Sequence, residues 1–559
     1  MMKLLVTIVL LISIISGVFG YSMDLYSIDS QEWKVASALC IANGVLPPSS
    51  VSPCTEEEIL YALSTIPPSK LDVDERSMLE ALYATFDSDR VLESESVAID
   101  SGIVVSPEMY AQTSKLSKQL DYAFDIKDMN PFLDISIDFY LYDNLLMFAD
   151  YLFISPGLKS QFDSLFGSNM DSLMDFQHEG IFNSGLVAGN KYIYGGIFRT
   201  RQSMGYGMTG NLMVADNFSR QDYARFHLNS KWFDYTLNLT HFDQSKPSFS
   251  TTDIQMDDTK FNGMHQIQGV HRFEGKFFDK VRVVFQEGMM LNSSSAFDFR
   301  LLNPFIYFHG LYNFSESIDY DPGKNSDEAN NYISLELGWI LYPHIALNLQ
   351  LLADQIQIGG EKYSPTACPQ AFGGILNIES PWGIGSHYLN SWYESVLIMP
   401  YTYLNRKELE NSAFDTNLDM ITGYHNSNQD EIGYAGYRYG GDSIVNAFGM
   451  ELGKLDLYQL GFSFTYLIHG KYGYGYSSII PERGESHLND MMLIGVGFSG
   501  AEHRLITELE GVWYPIDGLE VGANITLLQV FNHLCHKDEN VSDVMFKVCL
   551  KFDPLEIFL

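Results

Sequence analysis

The chain has 559 residues, with 70 Asp and Glu against 34 Lys and Arg and a formal net charge of −36. That balance excludes nucleic acid as a partner, because a phosphate backbone demands a basic footprint, and it repels acidic polymers unless cations or local basic pockets intervene. Aromatic residues reach 14%, with 34 Tyr and 37 Phe, and the mean hydropathy is −0.05, the average that a greasy outer face and a polar inner face would give.

Residues 1–20 read as a secretory signal. Lys3 supplies the positive start, Leu4 to Ile15 the apolar stretch, and Val18-x-Gly20 the cleavage positions. The apolar stretch is shorter than the ~20 residues of a membrane-spanning helix, and no later segment approaches that length. A membrane crossing must therefore be made by strands.

Residues 21–100 are expected to form a small periplasmic helical region. Trp33, Ala36, Leu39 and Cys40 fall at helical spacing, and Gly44 suits the turn that follows. Thr55 with Glu58 makes a capping box ahead of Ile59, Leu60 and Leu63, and Pro67-Pro68 stops that helix. Asp72 with Glu75 marks a third start, leading to Met78, Leu79, Leu82 and Phe86. Three short helices are marginal alone and must pack on something larger. Cys40 and Cys54 lie close enough in sequence to pair in an oxidising compartment, as do Cys535 and Cys549, with Cys368 left over. Free buried thiols are the alternative, since pairing is not readable from spacing.

From residue 101 to 559 the period of two dominates. Leu133, Ile135, Ile137, Phe139 and Leu141 alternate with polar neighbours, as do Phe233 to Leu239, Ile333 to Trp339, Ile345 to Leu351 and Leu519 to Leu527. Short turns at Phe278-Asp279-Lys280, Leu341 to His344 and Pro515 to Gly518 contrast with long polar stretches at 243–262, 315–331, 404–418, 424–442 and 477–489. Short turns at one rim and long loops at the other are the layout of an outer-membrane barrel. A soluble β-sandwich or propeller also alternates, but the inner face reads as too uniformly polar for a dry core. Some 450 residues at roughly 25 per strand and turn allow about 16–20 strands. Residues 156–176 read as a helical insertion. The last strand is the clearest: Val544, Phe546, Val548, Leu550 and Phe552 share one face, and Met545, Lys547, Cys549 and Lys551 the other.

Enzyme motifs are missing: there is no Gly-x-Ser-x-Gly elbow, His-Glu-x-x-His or phosphate-binding loop. His241, His265, His271 and His309 stand among many carboxylates in the strand region, so a hydrolase assembled in space is the third reading, behind a non-enzymatic one. Asp319-x-Asp321-x-Gly323 with Asp327 and Glu328 has the charge density of a calcium loop but departs from EF-hand spacing. It reads as a solvated acidic loop with Ca2+ as a weak candidate, and no cofactor is expected.

Two regions resemble the capsule-assembly Wzi family of outer-membrane proteins. One is the front, with its tryptophan helix, Gly44-Val45-Leu46, Pro53 and the Thr55–Leu63 helix. The other runs from His271-Arg272 through Val281–Phe285 and Gln286-Glu287 to Arg300-Leu301-Leu302-Asn303-Pro304 and Phe308-His309-Gly310, then Asn330-Asn331 and Leu351-Leu352-Ala353-Asp354-Gln355. The family often has two acidic residues where this chain has Asp354-Gln355. The resemblance implies a mainly-β fold, a transmembrane antiparallel β-barrel of 18 strands with a periplasmic helical bundle and partly closed extracellular loops. It also implies a lectin-like role in holding surface polysaccharide. The expected partners are outer-membrane lipid and surface polysaccharide, the location the cell outer membrane, and the state a monomer. The candidate ligand-binding residues, in lumen or loops, are Arg300, Asn303, His309, Asp354, Gln355 and His271, with loop aromatics Tyr320, Tyr424, Tyr434, Tyr437, Tyr439, Trp382 and Trp392 as sugar platforms. The competing reading of Arg300, Asn303 and His309 is a network that holds barrel and loop shape. The alternative function is a porin or transporter for small solutes.

Overall fold

The computed structural model describes residues 23–86, 97–113, 131–141, 144–154, 177–242, 265–293, 298–305, 328–355, 371–384, 386–400, 420–425, 430–471 and 500–558, with a few shorter pieces between. The leading segment 1–20, the acidic stretch 319–327, His309 and Cys368 lie outside the described residues.

The alternating segments pair into a closed antiparallel barrel of 18 strands. Its members are β1 (Val97–Val105), β2 (Leu133–Leu141), β3 (Leu145–Ile154), β4 (Gln177–Asn190), β5 (Ile193–Thr200), β6 (Gln221–Leu228), β7 (Phe233–Phe242), β8 (His265–Phe277) and β9 (Val281–Ser293). The second half comprises β10 (Glu328–Tyr342), β11 (Ile345–Gln355), β12 (Ala371–Ile384), β13 (His387–Ile398), β14 (Ser443–Lys454), β15 (Tyr458–His469), β16 (Glu502–Ile516), β17 (Leu519–Phe531) and β18 (Val541–Phe552). Each strand pairs with its neighbour in sequence. Closure falls at Pro107, which has no N–H to give a ladder. On one side of it β1 pairs with β2, and on the other Glu108–Gln112 pairs with β18.

Period-two sequence sends alternate side chains outward and inward. In β18, Val544, Phe546 and Leu550 face out and stand exposed, while Lys547 turns in to Glu108 at 2.8 Å and Lys551 to Glu520 at 3.2 Å. Val283, Phe285, Leu335, Leu351, Leu397, Phe448 and Leu509 continue the outer apolar band. Trp232, Phe278, Tyr342, Trp382 and Trp513 are exposed around the short-turn rim, the aromatic girdle of a membrane–water boundary. In the turn Phe278-Asp279-Lys280, Phe278 and Asp279 have φ of 56° and 54°, a left-handed pair closed by the Lys280 N–H on the Phe277 carbonyl at 3.1 Å.

Three helices close the short-turn end: α1 (Gln31–Ala42), α2 (Glu56–Ser64) and α3 (Val73–Phe86). Ser30 caps α1 by accepting from Trp33 N, and Thr55 and Glu58 form the reciprocal box on α2. Ile41 and Leu46 pack on Ile340 and Ala346 of the barrel wall. The Leu46 N–H reaches the Asp279 carbonyl at 2.9 Å, and the His344 N–H reaches Ile41 at 3.0 Å. Gly44 takes φ +72° beside Pro343, the left-handed turn that lets the chain leave α1 against the barrel turn.

The lumen corrects the expectation of a uniformly polar interior. The β5–β6 loop (201–220) and the described parts of the β13–β14 connection around Tyr403, Met420 and 433–442 fold inward. Met204, Leu212, Met213, Val214, Phe218, Tyr403, Met420, Tyr434 and Tyr437 pack against Val270, Met290, Leu352, Ile375, Val396 and Val445 of the wall in one buried apolar cluster. Other expectations change as well. Cys40 and Cys54 are buried free thiols, and Cys535 and Cys549 are also free. Within 156–176, the piece Phe166–Ser168 is a strand paired with residues 109–111 rather than helix.

Candidate functional site

The inward-folded segments meet the wall through polar side chains that alternation alone would leave facing water. At the periplasmic end, the α1–α2 linker enters the lumen. Arg225 donates to the Pro53 and Ser52 carbonyls at 2.8 and 2.9 Å, Arg282 to Pro47 at 2.9 Å, and Trp33 Nε1 to Ser49 at 3.1 Å. Arg272, 1% exposed, binds Ser50 Oγ at 2.8 Å and Glu336 at 2.9 Å. Arg282 Nε meets Glu274 at 2.7 Å, so two arginines and two glutamates offset one another in the interior. Val51-Ser52 of the linker pairs as a strand with Ser203-Met204 of the β5–β6 loop, joining the two plugging segments.

Higher up, each wall carboxylate or amide takes a loop backbone group. Gln350 accepts from Leu212 N at 3.2 Å and donates to Asn211 at 2.7 Å, while Gln268 donates to the Met213 carbonyl at 3.0 Å. Glu394 accepts the Met208 and Thr209 N–H groups at 2.7 and 2.9 Å, and also the Thr209 hydroxyl. Asp354 accepts the Tyr403 N–H at 2.7 Å and Asn330 Nδ2 at 3.1 Å. Tyr403 in turn donates its hydroxyl to Leu212 at 2.9 Å and receives the Tyr437 N–H at 3.1 Å. Buried groups paired in this way hold one arrangement, since each lost partner leaves an orphan costing about 1–3 kcal/mol.

The water-reached side of the lumen carries charge of both signs. Arg201, Met208, Arg438, Asp29, Glu508 and Glu510 are exposed there; Arg438 stands 3.9 Å from Asp216 and Lys34 2.9 Å from Glu451. Asp29 is touched by solvent yet ringed by protein. That surrounding raises its carboxyl pKa, as does the neighbouring Asp216, with Lys34, Arg201 and Arg438 opposing. On α2, burial pushes the Glu58 pKa up, but His227 at 3.1 Å and the Thr55 N–H outweigh it and hold the carboxyl below its ordinary value.

Of the six residues singled out in the sequence, the five that the structure describes separate in space. Asp354 faces the lumen and braces the Tyr403 loop, and Gln355 follows it at the end of β11. His271 has the opposite parity. It faces outward, bonded to Tyr235 at 3.0 Å and edge-on to Phe308 at 4.2 Å. Arg300 and Asn303 are exposed on a short turn: Arg300 is clasped by Asp298, and Asn303 Oδ1 accepts the Phe305 N–H at 3.1 Å. Among the aromatics, Tyr434 and Tyr437 are buried in the plug, Trp392 packs against it, and Trp382 sits at the periplasmic rim, stacked on His344. Sequence reading passed over the residues that matter most for the lumen, the run Leu212-Met213-Val214-Ala215. Four consecutive apolar residues between two strands, in a region without helical period, are a legible sign of a loop that must bury itself.

These features define a class: a membrane-spanning outer-membrane β-barrel capped by helices and filled by its own loops. No family profile matches the chain, and no curated protein matches it in sequence. Among solved structures it is similar to Wzi of Escherichia coli, described as an outer membrane protein involved in group 1 capsule assembly and a carbohydrate-binding β-barrel. The TM-score is 0.56 at 13% identity, covering 94% of this chain and 99% of that one. Weaker likenesses include the outer membrane channel DcaP of Acinetobacter baumannii (TM-score 0.35, 8% identity, covering 83% and 100%) and OpdQ of Pseudomonas aeruginosa (0.39, 6%, 81% and 97%). The chain shares the barrel fold of Wzi, with the same overall extent.

Proposed function

We propose that this protein is a non-enzymatic surface barrel that binds or organises surface or exported polysaccharide. The observation that carries this reading is the filled lumen. Two loops and the α1–α2 linker occupy it through an apolar cluster and a set of directional hydrogen bonds, a construction suited to presenting a fixed outer surface rather than a wide passage. The barrel's likeness in fold to a carbohydrate-binding barrel is consistent with it. The charge of −36 favours a neutral glycan, or an acidic one bridged by cations. Purified protein in planar bilayers should show no steady conductance and should retain polymer on an array of the host's surface glycans. Folded protein that retains no glycan, together with unchanged surface polysaccharide in a deletion strain, would refute the reading.

The second reading, a channel for small solutes, is favoured by Glu508 and Glu510, which face the lumen and remain exposed. Steady cation-selective conductance would put it first.

A further inference from the structure

The outer face of β8 and β9 changes character partway up. Near the periplasmic turn Val283 and Phe285 are 43% and 38% exposed, as the lipid-facing band requires. Higher on the same face Ile267, His271, Glu287, Met289 and Leu291 are each 4% exposed or less. The chain that leaves β9 covers Ile267, His271, Met289 and Leu291. Leu301 and Phe308, both buried, pack on Ile267, Met289 and Leu291. The Phe308 ring lies 3.3 Å from where a side chain on Gly269 would begin, so glycine there permits the close approach. This stretch of chain, residues 298–305, 307 and 308, thus lies back along the outside of the barrel instead of standing free above it.

Its own far side is apolar. Phe305 is 94% exposed, Tyr307 54% and Leu302 41%. Four of its N–H groups are bonded within the segment: Arg300 N donates to Asp298 Oδ1 at 2.9 Å, Leu301 N to the Asp298 carbonyl at 3.1 Å, Asn303 N to the Arg300 carbonyl at 3.2 Å and Phe305 N to Asn303 Oδ1 at 3.1 Å. Residue 304 is proline, with no N–H to satisfy. Each of these bonds removes an N–H that lipid could not satisfy, so irregular chain lying against the barrel can rest at the edge of the hydrocarbon, where its side chains rather than its backbone enter. The height agrees. Leu291 stands about 33 Å along β9 from Val281 at ~3.3 Å per residue, which a tilt of roughly 40° converts to about 25 Å above the turn, the top of the apolar band.

We propose that residues 298–305, with Tyr307 and Phe308, form a lateral anchor that sinks Leu302, Phe305 and Tyr307 into the acyl chains of the outer leaflet. Its inner side meanwhile shields the polar wall position His271 from lipid. Continuity with the exposed apolar band below it is what selects acyl chains as the occupant. Arg300 and Asn303 then act in shaping the anchor rather than in holding a ligand.

The test is Phe305→Trp in the full-length protein, reconstituted in phosphatidylcholine vesicles. The added emission is taken as the difference from wild type. Phe305 makes so little contact with the fold that the variant should assemble normally, which heat-modifiable gel mobility checks. The expected result is blue-shifted emission, quenched by lipids brominated near the carbonyls and several-fold less accessible to aqueous iodide than a free indole. Full iodide quenching without bromolipid quenching would overturn the proposal. So would bromolipid quenching that fades as protein density rises while Leu302→Cys cross-links copies to one another, because the occupant would then be a second barrel.

Discussion

Replacing Arg272 with methionine isolates the energetics of the plugged lumen. The guanidinium is 1% exposed and holds Glu336 at 2.9 Å, Glu274 at 3.4 Å and Ser50 at 2.8 Å. Arg282 still meets Glu274 at 2.7 Å in the variant, but Glu336 is left as a buried carboxylate with only Gln286 to bond it. Breaking one side of a buried ion pair costs about 3–5 kcal/mol, whereas replacing the whole pair by well-packed apolar groups is often neutral. Arg272→Met should therefore lower the unfolding free energy by about 3–5 kcal/mol. The triple variant Arg272→Met, Gln286→Met, Glu336→Met, which also removes the amide that would otherwise be orphaned, should recover most of that loss. Equilibrium guanidinium unfolding in lipid vesicles, followed by tryptophan fluorescence, measures both. A single variant within about 1 kcal/mol of wild type, or a triple variant as unstable as the single, would mean that the cluster does not hold the linker in the lumen.

Three further outcomes follow from the same geometry. Glu58 has a folded pKa lowered below its unfolded value of 4.5, so it contributes stability that is present above that pH and lost as pH falls through the folded value. Proteolysis of the helical cap should accelerate on acidification, and Glu58→Gln should flatten the dependence; an equally steep profile in the variant would assign the effect elsewhere. Asp354→Asn deprives either the Tyr403 N–H or Asn330 of its acceptor and should cost about 1–3 kcal/mol while leaving glycan retention intact; loss of retention at wild-type stability would make Asp354 a ligand group instead. Tyr403→Ala empties a fully buried site, costing about 3–5 kcal/mol, and should turn a silent barrel into one with flickering current. Continued silence in planar bilayers would show that the β13–β14 connection does not seal the lumen.

The fold was legible because its signal is local. Alternation over Val544–Phe552 or Ile345–Leu351 specifies strand and face together, and the box at Thr55 and Glu58 specifies where α2 begins. Membrane strands sharpen this, since lipid tolerates no polar side chain without cover. The site was less legible for the same reason. His271 belongs to an outward row, but its neighbours in sequence do not say that Phe308 lies over it. Arg300 looks like a ligand group until Asp298 is seen to clasp it.

By itself, then, the sequence determined the barrel, its helical front, its two faces and the rim that carries short turns. Each depends on residues a few positions apart and on a solvent, lipid or water, that reads them one face at a time. Only the tertiary structure decided that the lumen is filled. Leu212, Tyr403 and Val51 come from segments far apart in the chain, and their meeting depends on Arg225, Gln350, Asp354 and Glu394 of three strands each finding a backbone partner, and on Arg272 of a fourth finding the Ser50 hydroxyl. A carboxylate facing an open lumen and one bracing a plug have the same place in an alternating pattern. They differ in which distant carbonyl or N–H the closed barrel brings within 3 Å, and the gain from burying the loop's apolar run settles which state forms.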